Sequence, residues 1–270
     1  MRGPLCVIVE PLFVKDLTVS KRTVLITGAS RNIGAHLARR YAAEGHDVVA
    51  VARKRENLEE IRQEVESAGG SIETFGCDVS DPEAVEEMVS SISVGHGGID
   101  VLINNAVIRV QRPVMEMTFE EWKLVQAVTL DGAFNCIRAV LPGMRERGWG
   151  RIISMGGISA AKGATNRLGV VTCKAGLQGL TRGLANETAA EGITVNLIAP
   201  GRIGTDRGRW TAIGDMSDIK QHYNRDQAGT PMGRMGDLDE IAAPIQFLTS
   251  EEASFITGQT LCVNGGTYFS

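Results

Sequence analysis

The stretch that decides the fold is residues 23–34, Thr-Val-Leu-Ile-Thr-Gly-Ala-Ser-Arg-Asn-Ile-Gly. Its first five residues are a short apolar run of the kind that forms a strand buried on both faces. Gly28 follows at once, and from Ile33 the apolar residues Ile33, Leu37 and Tyr41 recur at helical spacing until Gly45. Glycines permit a tight turn and close backbone approach to a pyrophosphate, while the helix N-terminus offers oriented N–H groups and partial positive charge. A glycine-rich turn alone is weak evidence; with a strand before it and a helix after it, it marks a dinucleotide site. Gly28, Ser30, Arg31, Asn32, Ile33 and Gly34 are the expected contacts. Asn32 stands where a glycine is usual, and asparagine tolerates left-handed backbone better than other side chains, so the turn is expected to survive.

Outward from this unit, strand and helix alternate to the end of the chain. Residues 48–52, 72–77, 99–103, 151–155, 194–198 and 260–263 read as strands. Between them, Leu58, Ile61 and Val65 mark one helix, and Asp81-Pro82-Glu83 starts another with an acid cap and proline at its first position. Thr118 with Glu121 is a capping box for a long helix to about Arg147, Lys174 lies on a helix reaching about Ala190, and Asp237 with Glu240 caps the last. Seven strands joined by helical crossovers predict an α/β fold: a doubly wound seven-stranded parallel sheet (Rossmann fold) in a single domain, residues 22–270. Residues 1–21 read as an N-terminal extension. Residues 202–231 break the rhythm, being long and weakly periodic, and a loop of that length suggests a substrate loop or lid.

Composition narrows the function classes. The net charge of −4 makes nucleic acid a poor partner. No uninterrupted apolar run approaches the ~18 residues of a membrane span. The five cysteines are widely spaced without a CxxC, and the four histidines lack HxxxH or HxH spacing. These suit a reducing compartment and argue against a structural metal. The apolar stretch at residues 5–9 is broken by Glu10 and Pro11, unlike a signal peptide. The expectation is a cytoplasmic protein that acts on a small molecule.

The end of the second strand speaks to the cofactor. An acid there would accept from a ribose 2′-hydroxyl and select NAD. This chain has Ala52-Arg53-Lys54-Arg55 instead, and Arg31 lies inside the glycine turn. Guanidinium groups at Arg31 and Arg53 favour a 2′-phosphate, hence NADP(H).

Later segments carry a wider resemblance. Cys77-Asp78-Val79, Asn104-Asn105-Ala106, Pro200-Gly201-Arg202-Ile203-Gly204-Thr205 and Val263-Asn264-Gly265-Gly266 follow the glycine turn in order. Across residues 22–266 the chain resembles the short-chain dehydrogenase/reductase family. The resemblance implies cofactor contacts from Asp78, Val79, Asn105, Ala106, Lys174, Pro200, Gly201, Ile203 and Thr205. It also implies a homo-oligomer, a dimer or tetramer.

The family usually works with Asn, Ser, Tyr and Lys, the last two as YxxxK on one helix face. Here Lys174 is present, but four residues earlier stands Val170, thirteen before that Gly157, and the Asn position is Thr129. A valine cannot donate a proton and a glycine has no hydroxyl; loss of a general acid typically costs ~10²–10⁴ in rate. Ser159 is the better substitute hydroxyl than Ser154, and Tyr223 and His222 in the 202–231 loop are further candidates. Nothing in the spacing of Arg109 or Asp131 demands a catalytic role. Two readings stay open. One is an NADP(H)-dependent oxidoreductase with an atypical site at Lys174 and Ser159, reducing an enoyl, dienoyl or carbonyl substrate. The other is a catalytically impaired NADP(H)-binding protein with a structural or sensing role.

Overall fold

The computed structural model describes residues 20–205, 212–214 and 229–269. Strands β1 (Thr23–Thr27), β2 (Asp47–Ala52), β3 (Ser71–Gly76), β4 (Val101–Asn104), β6 (Gly150–Met155), β7 (Ile193–Pro200) and β9 (Thr260–Val263) form one sheet. Its order is β3-β2-β1-β4-β6-β7-β9, and every neighbouring pair is parallel. The chain thus winds outward from β1 in one direction, returns to β4 on the other side of β1, and winds away again. That reversal opens a crevice at the carboxyl ends of β1 and β4, where ligands bind in such sheets.

Strand alternation divides the core between two faces. Val24, Ile26, Val48 and Ala50 pack on one side with Leu37 and Tyr41 of α1 (Asn32–Ala43), Ile61 and Val65 of α2 (Glu59–Ser67), and Ile241 and Ile245 of α8 (Leu238–Thr249). Leu25, Val49, Val51 and Leu102 point the other way. They meet Val85 and Ile92 of α3 (Pro82–His96) and Cys136, Ile137 and Val140 of α5 (Gly132–Arg147). Each buried aliphatic side chain contributes about 1.5–3 kcal/mol against leaving it exposed. The expected capping devices are in place: Asp81 accepts from the Ala84 N–H, and Thr118–Glu121 and Asp237–Glu240 form reciprocal boxes.

Three local features differ from the sequence pattern. The long helix after Thr118 is continuous, but it comes as α4 (Phe119–Gln126), a π-helical turn (Ala127–Asp131) and α5. By length and composition this stretch, Phe119–Arg147, could cross a membrane; here it lies against α3, α7 and the sheet. A second, two-stranded parallel sheet joins β5 (Arg109–Gln111) to β8 (Ala212–Gly214). β8 lies inside the 202–231 segment, so part of that loop is strand. Finally, α6 (Ser159–Lys162) is a single turn before α7 (Leu168–Thr188), the helix that carries Lys174.

Candidate active site at the carboxyl edge of the sheet

The glycine turn is fixed by contacts that only its own sequence permits. Gly28 has φ +64, and a Cβ there would lie 2.9 Å from Ala106 Cα and 3.2 Å from Asn105 Nδ2. A Cβ on Gly34 would lie 2.7 Å from the same amide nitrogen and 2.9 Å from Ala29 Cα. Asn32 adopts φ +49, so asparagine supplies the left-handed residue as expected. Thr27, at the end of β1, anchors the turn to β4. Its hydroxyl accepts from the backbone N–H of Asn105 (3.0 Å) and of Ala106 (3.1 Å). The Asn105 side-chain amide donates to the carbonyls of Thr27 (3.1 Å) and Gly28 (3.0 Å). Asn105 therefore shapes the turn with its amide nitrogen, a role that motif matching alone does not reveal.

The same turn is tied to β2, where the Ala29 N–H donates to Val51 O at 3.0 Å. Arg31, the residue before α1, and Arg53, exposed just past β2, thus leave from neighbouring backbone. Arg55 is differently engaged: its Nε donates to Thr74 Oγ1 on β3 at 3.1 Å. Asp78 accepts from both the N–H and the hydroxyl of Ser80, at 3.0 and 2.7 Å. Val79 is buried, and its carbonyl accepts from Asn135 Nδ2 at 3.0 Å. On the far side, the Gly201 N–H donates to Val263 O (2.9 Å), and a Cβ on Gly201 would lie 2.7 Å from Asn264 Cα. Ile203 is buried and bridges to Gly236, while the Thr205 hydroxyl donates to Ile203 O at 3.4 Å. Ser30 and Ile33 are half-buried on the turn.

The candidate catalytic residues lie at the end of β6 and on α7. Lys174 is buried, and its Nζ donates to Met155 O at the end of β6. Burial above all, with the nearby positive charge of Arg109 adding to it, lowers the Lys174 amine from the ordinary 10.5 to about 7. One turn earlier, Val170 packs into a closed apolar cluster with Val110, Val125 and Cys173. Gly157 faces open space: a Cβ built there would find only Ser159 Oγ within reach, at 3.6 Å. Ser159 opens α6 and is half-buried. Thr129 sits in the π-helical turn, 2% exposed, its hydroxyl without a partner among the described residues. Ser154 is fully buried within β6. His222 and Tyr223 lie outside the described residues.

Arg109 is the residue whose place the sequence did not signal. It stands half-buried at the start of β5. β5 crosses near α7, because Val110 packs on Val170 and Cys173, and the Arg112 N–H donates to Asn166 O (2.9 Å) just before that helix. Three residues of Arg-Val-Gln carry no strand pattern long enough to read, and the pairing with β8 is non-local.

The glycine turn at the switch point between β1 and β4, with the buried amine of Lys174 reaching from α7 to the end of β6, gives the crevice the form of a Rossmann-type site. The family described as enoyl-(acyl carrier protein) reductase matches residues 28–268. A 3-oxoacyl-[acyl-carrier-protein] reductase from Vibrio cholerae is 36% identical over 252 residues, 93% of this chain and 99% of that protein. An acetoacetyl-CoA reductase from Rhizobium meliloti is 38% identical over 250 residues, 92% of this chain and 99% of that protein. A solved structure from Sinorhizobium meliloti, described as a short-chain alcohol dehydrogenase, superposes with a TM-score of 0.84 at 32% identity. The match covers 91% of this chain and 96% of that one. The protein belongs to the short-chain dehydrogenase/reductase family.

Proposed function

We propose that this protein is an NADPH-dependent reductase of small acyl substrates that works without the family's usual tyrosine and serine. The observation that carries this reading is the pairing of Lys174 with Val170. The lysine is held at the end of β6, whereas the position one turn away is an apolar side chain sealed among Val110, Val125 and Cys173. Bound in the crevice, the reduced nicotinamide cofactor supplies a hydride.

The chain's own residues supply the rest. Gly28, Ser30, Arg31, Asn32, Ile33 and Gly34 would cradle the pyrophosphate. Arg31 and Arg53 would bind a 2′-phosphate by charge-assisted hydrogen bonds. Asp78 and Val79 would meet the adenine, and Asn105, Ala106, Pro200, Gly201, Ile203 and Thr205 the nicotinamide half. An ammonium has three donors, and one N–H of Lys174 goes to Met155 O, so two remain for a ribose and a substrate oxygen. Ser159 would orient that oxygen from beside the open face of Gly157.

Reduction of a conjugated C=C bond suits this set better than reduction of a ketone. In that reaction the charge develops on a carbonyl oxygen away from the carbon that receives hydride. The site then needs an oxyanion stabiliser more than a tyrosine acid. Two of the relatives named above, a 3-oxoacyl-[acyl-carrier-protein] reductase and an acetoacetyl-CoA reductase, support an acyl chain as the substrate body. The active form would be a homo-oligomer.

The test is NADPH oxidation with 2,4-dienoyl, 2-enoyl and 3-oxoacyl thioesters, for the wild type and Ser159→Ala. Turnover highest with the unsaturated thioesters, and lower in Ser159→Ala, is the expected result. No turnover with any of them would overturn the reading and leave a cofactor-binding protein.

A further inference from the structure

We infer that His46 is an acid-released latch on the segment that enters β1: its neutral imidazole holds Arg22 to the amino edge of the sheet, and protonation lets it go. The latch lies at the opposite edge of the sheet from the crevice, where β1 and β2 begin side by side with Thr23 in register with Asp47. The backbone N–H of Arg22 donates to His46 Nδ1 at 3.2 Å. An N–H only donates, so Nδ1 must carry its lone pair, and the ring proton of the neutral imidazole sits on Nε2. A second proton, on Nδ1, turns the acceptor into a donor and sets two N–H groups against each other.

The ring has little freedom to avoid this. His46 is 6% exposed. Its own N–H donates to Tyr41 O at 3.1 Å, and its ring lies against that of Tyr41, with centroids 5.7 Å apart. Tyr41 is fixed in turn by a 2.6 Å hydrogen bond with Thr249 Oγ1 on α8. The charged groups around the imidazole are Glu44 just past α1, Arg22 before β1, Asp47 on β2 and Asp100 before β4. Burial dominates and, with the charge of Arg22, outweighs the three carboxylates, so the imidazole titrates below its ordinary 6.5. Two of those carboxylates are already engaged, Asp47 by Lys21 Nζ at 2.9 Å and Asp100 by the Thr23 N–H at 3.0 Å.

Other contacts hold the segment without involving the imidazole. The Arg22 guanidinium lies 3.8 Å from the centre of the Trp149 ring and donates to Glu251 Oε1 at 2.7 Å. The Arg22 carbonyl accepts from the Asp47 N–H at 2.9 Å. Protonation of His46 therefore loosens the entry to β1 and leaves the rest of the sheet in place. Linkage gives the direction. The imidazole binds a proton more weakly when latched, so opening takes one up. The latch is fully set above about pH 6.5 and weakens as the pH falls below it. One unit below that value, the open form gains up to about tenfold.

The test is hydrogen exchange read by mass spectrometry at about pH 7.5 and about pH 5.5, with rates corrected for the intrinsic effect of pH, on the wild type, His46→Asn and His46→Phe. Asparagine puts an amide oxygen near the place of Nδ1 and does not titrate; phenylalanine fills the space and accepts nothing. In the wild type, residues 20–26 are expected to lose more than about twofold, and up to about tenfold, of their protection at the lower pH, while β7 changes by less than about twofold. His46→Asn should keep its protection at both pH values, and His46→Phe should lack it at both. If His46→Phe does not fold, the wild type and His46→Asn still decide. His36 and His96, which face Asp239 and Glu73, are present in all three proteins and cancel. A change below about twofold in the wild type, an equal loss in His46→Asn, a loss shared by β7, or full protection in His46→Phe would each overturn the inference. None of these outcomes bears on thioester turnover, so the latch stands or falls separately from the reductase reading.

Discussion

The two ends of the crevice are built on different terms. At the β1 turn, geometry dictates sequence: Gly28, Gly34 and Asn32 each answer a backbone requirement, and Thr27 and Asn105 spend their side chains on the turn itself. At the β6–α7 end, Lys174 is tied to Met155 O, while Gly157 opens onto space and Val170 is sealed in an apolar cluster. The proposed cofactor end is over-determined, since several hydrogen bonds and close approaches fail together if one residue changes. The proposed catalytic end is looser at Gly157, where a Cβ would meet little, although Val170 is fixed by the side chains packed around it. A chain can therefore keep the first and revise the second without losing its structure.

The comparison is sharpest to break at the turn. Gly28→Val puts a β-branched side chain at φ +64 and against the backbone of Ala106. Strain of roughly 1–3 kcal/mol plus the steric clash is expected, with loss of NADPH binding. Thermal unfolding and cofactor fluorescence would show both. A variant that still binds NADPH normally would show the turn to be more tolerant than its contacts imply. A smaller effect is expected at the adenosine end. Each charge-assisted hydrogen bond is worth about 1.5–3 kcal/mol. Replacing Arg31 and Arg53 together by alanine removes two such bonds and should therefore weaken NADPH binding by about a hundred- to ten-thousandfold while NADH binding stays level. Equal loss for both cofactors, measured by titration, would remove the 2′-phosphate from the account.

Much of this architecture is legible in the sequence because the information is local. The apolar runs, the cap residues Asp81, Thr118 and Asp237, and the glycine turn each declare an element within a few residues. What stayed hidden depends on contacts between distant segments. The β5–β8 pairing joins residues about a hundred positions apart, and β5 has only three residues. The π-helical turn at Ala127–Asp131 looks like ordinary helix, because the pattern of apolar side chains hardly changes across it. The charge of Arg109 comes near Lys174 only because β5 lies beside α7. The gaps at Val170 and Gly157 were visible by counting back from Lys174, whereas their surroundings, one sealed and one open, were not.

The central claim is that the cofactor end is complete and that hydride transfer proceeds from it with Lys174 and without a tyrosine. The most direct test is a single-turnover measurement with NADPH bound, following its absorbance on mixing with a 2,4-dienoyl thioester. The wild type and Lys174→Ala would be compared after the NADPH affinity of each has been measured. The account predicts that both proteins bind NADPH and that the wild type oxidises it. It predicts that Lys174→Ala slows the transfer by about 10² or more. NADPH bound tightly by a wild type that transfers no hydride, or transfer undiminished in Lys174→Ala, would contradict it.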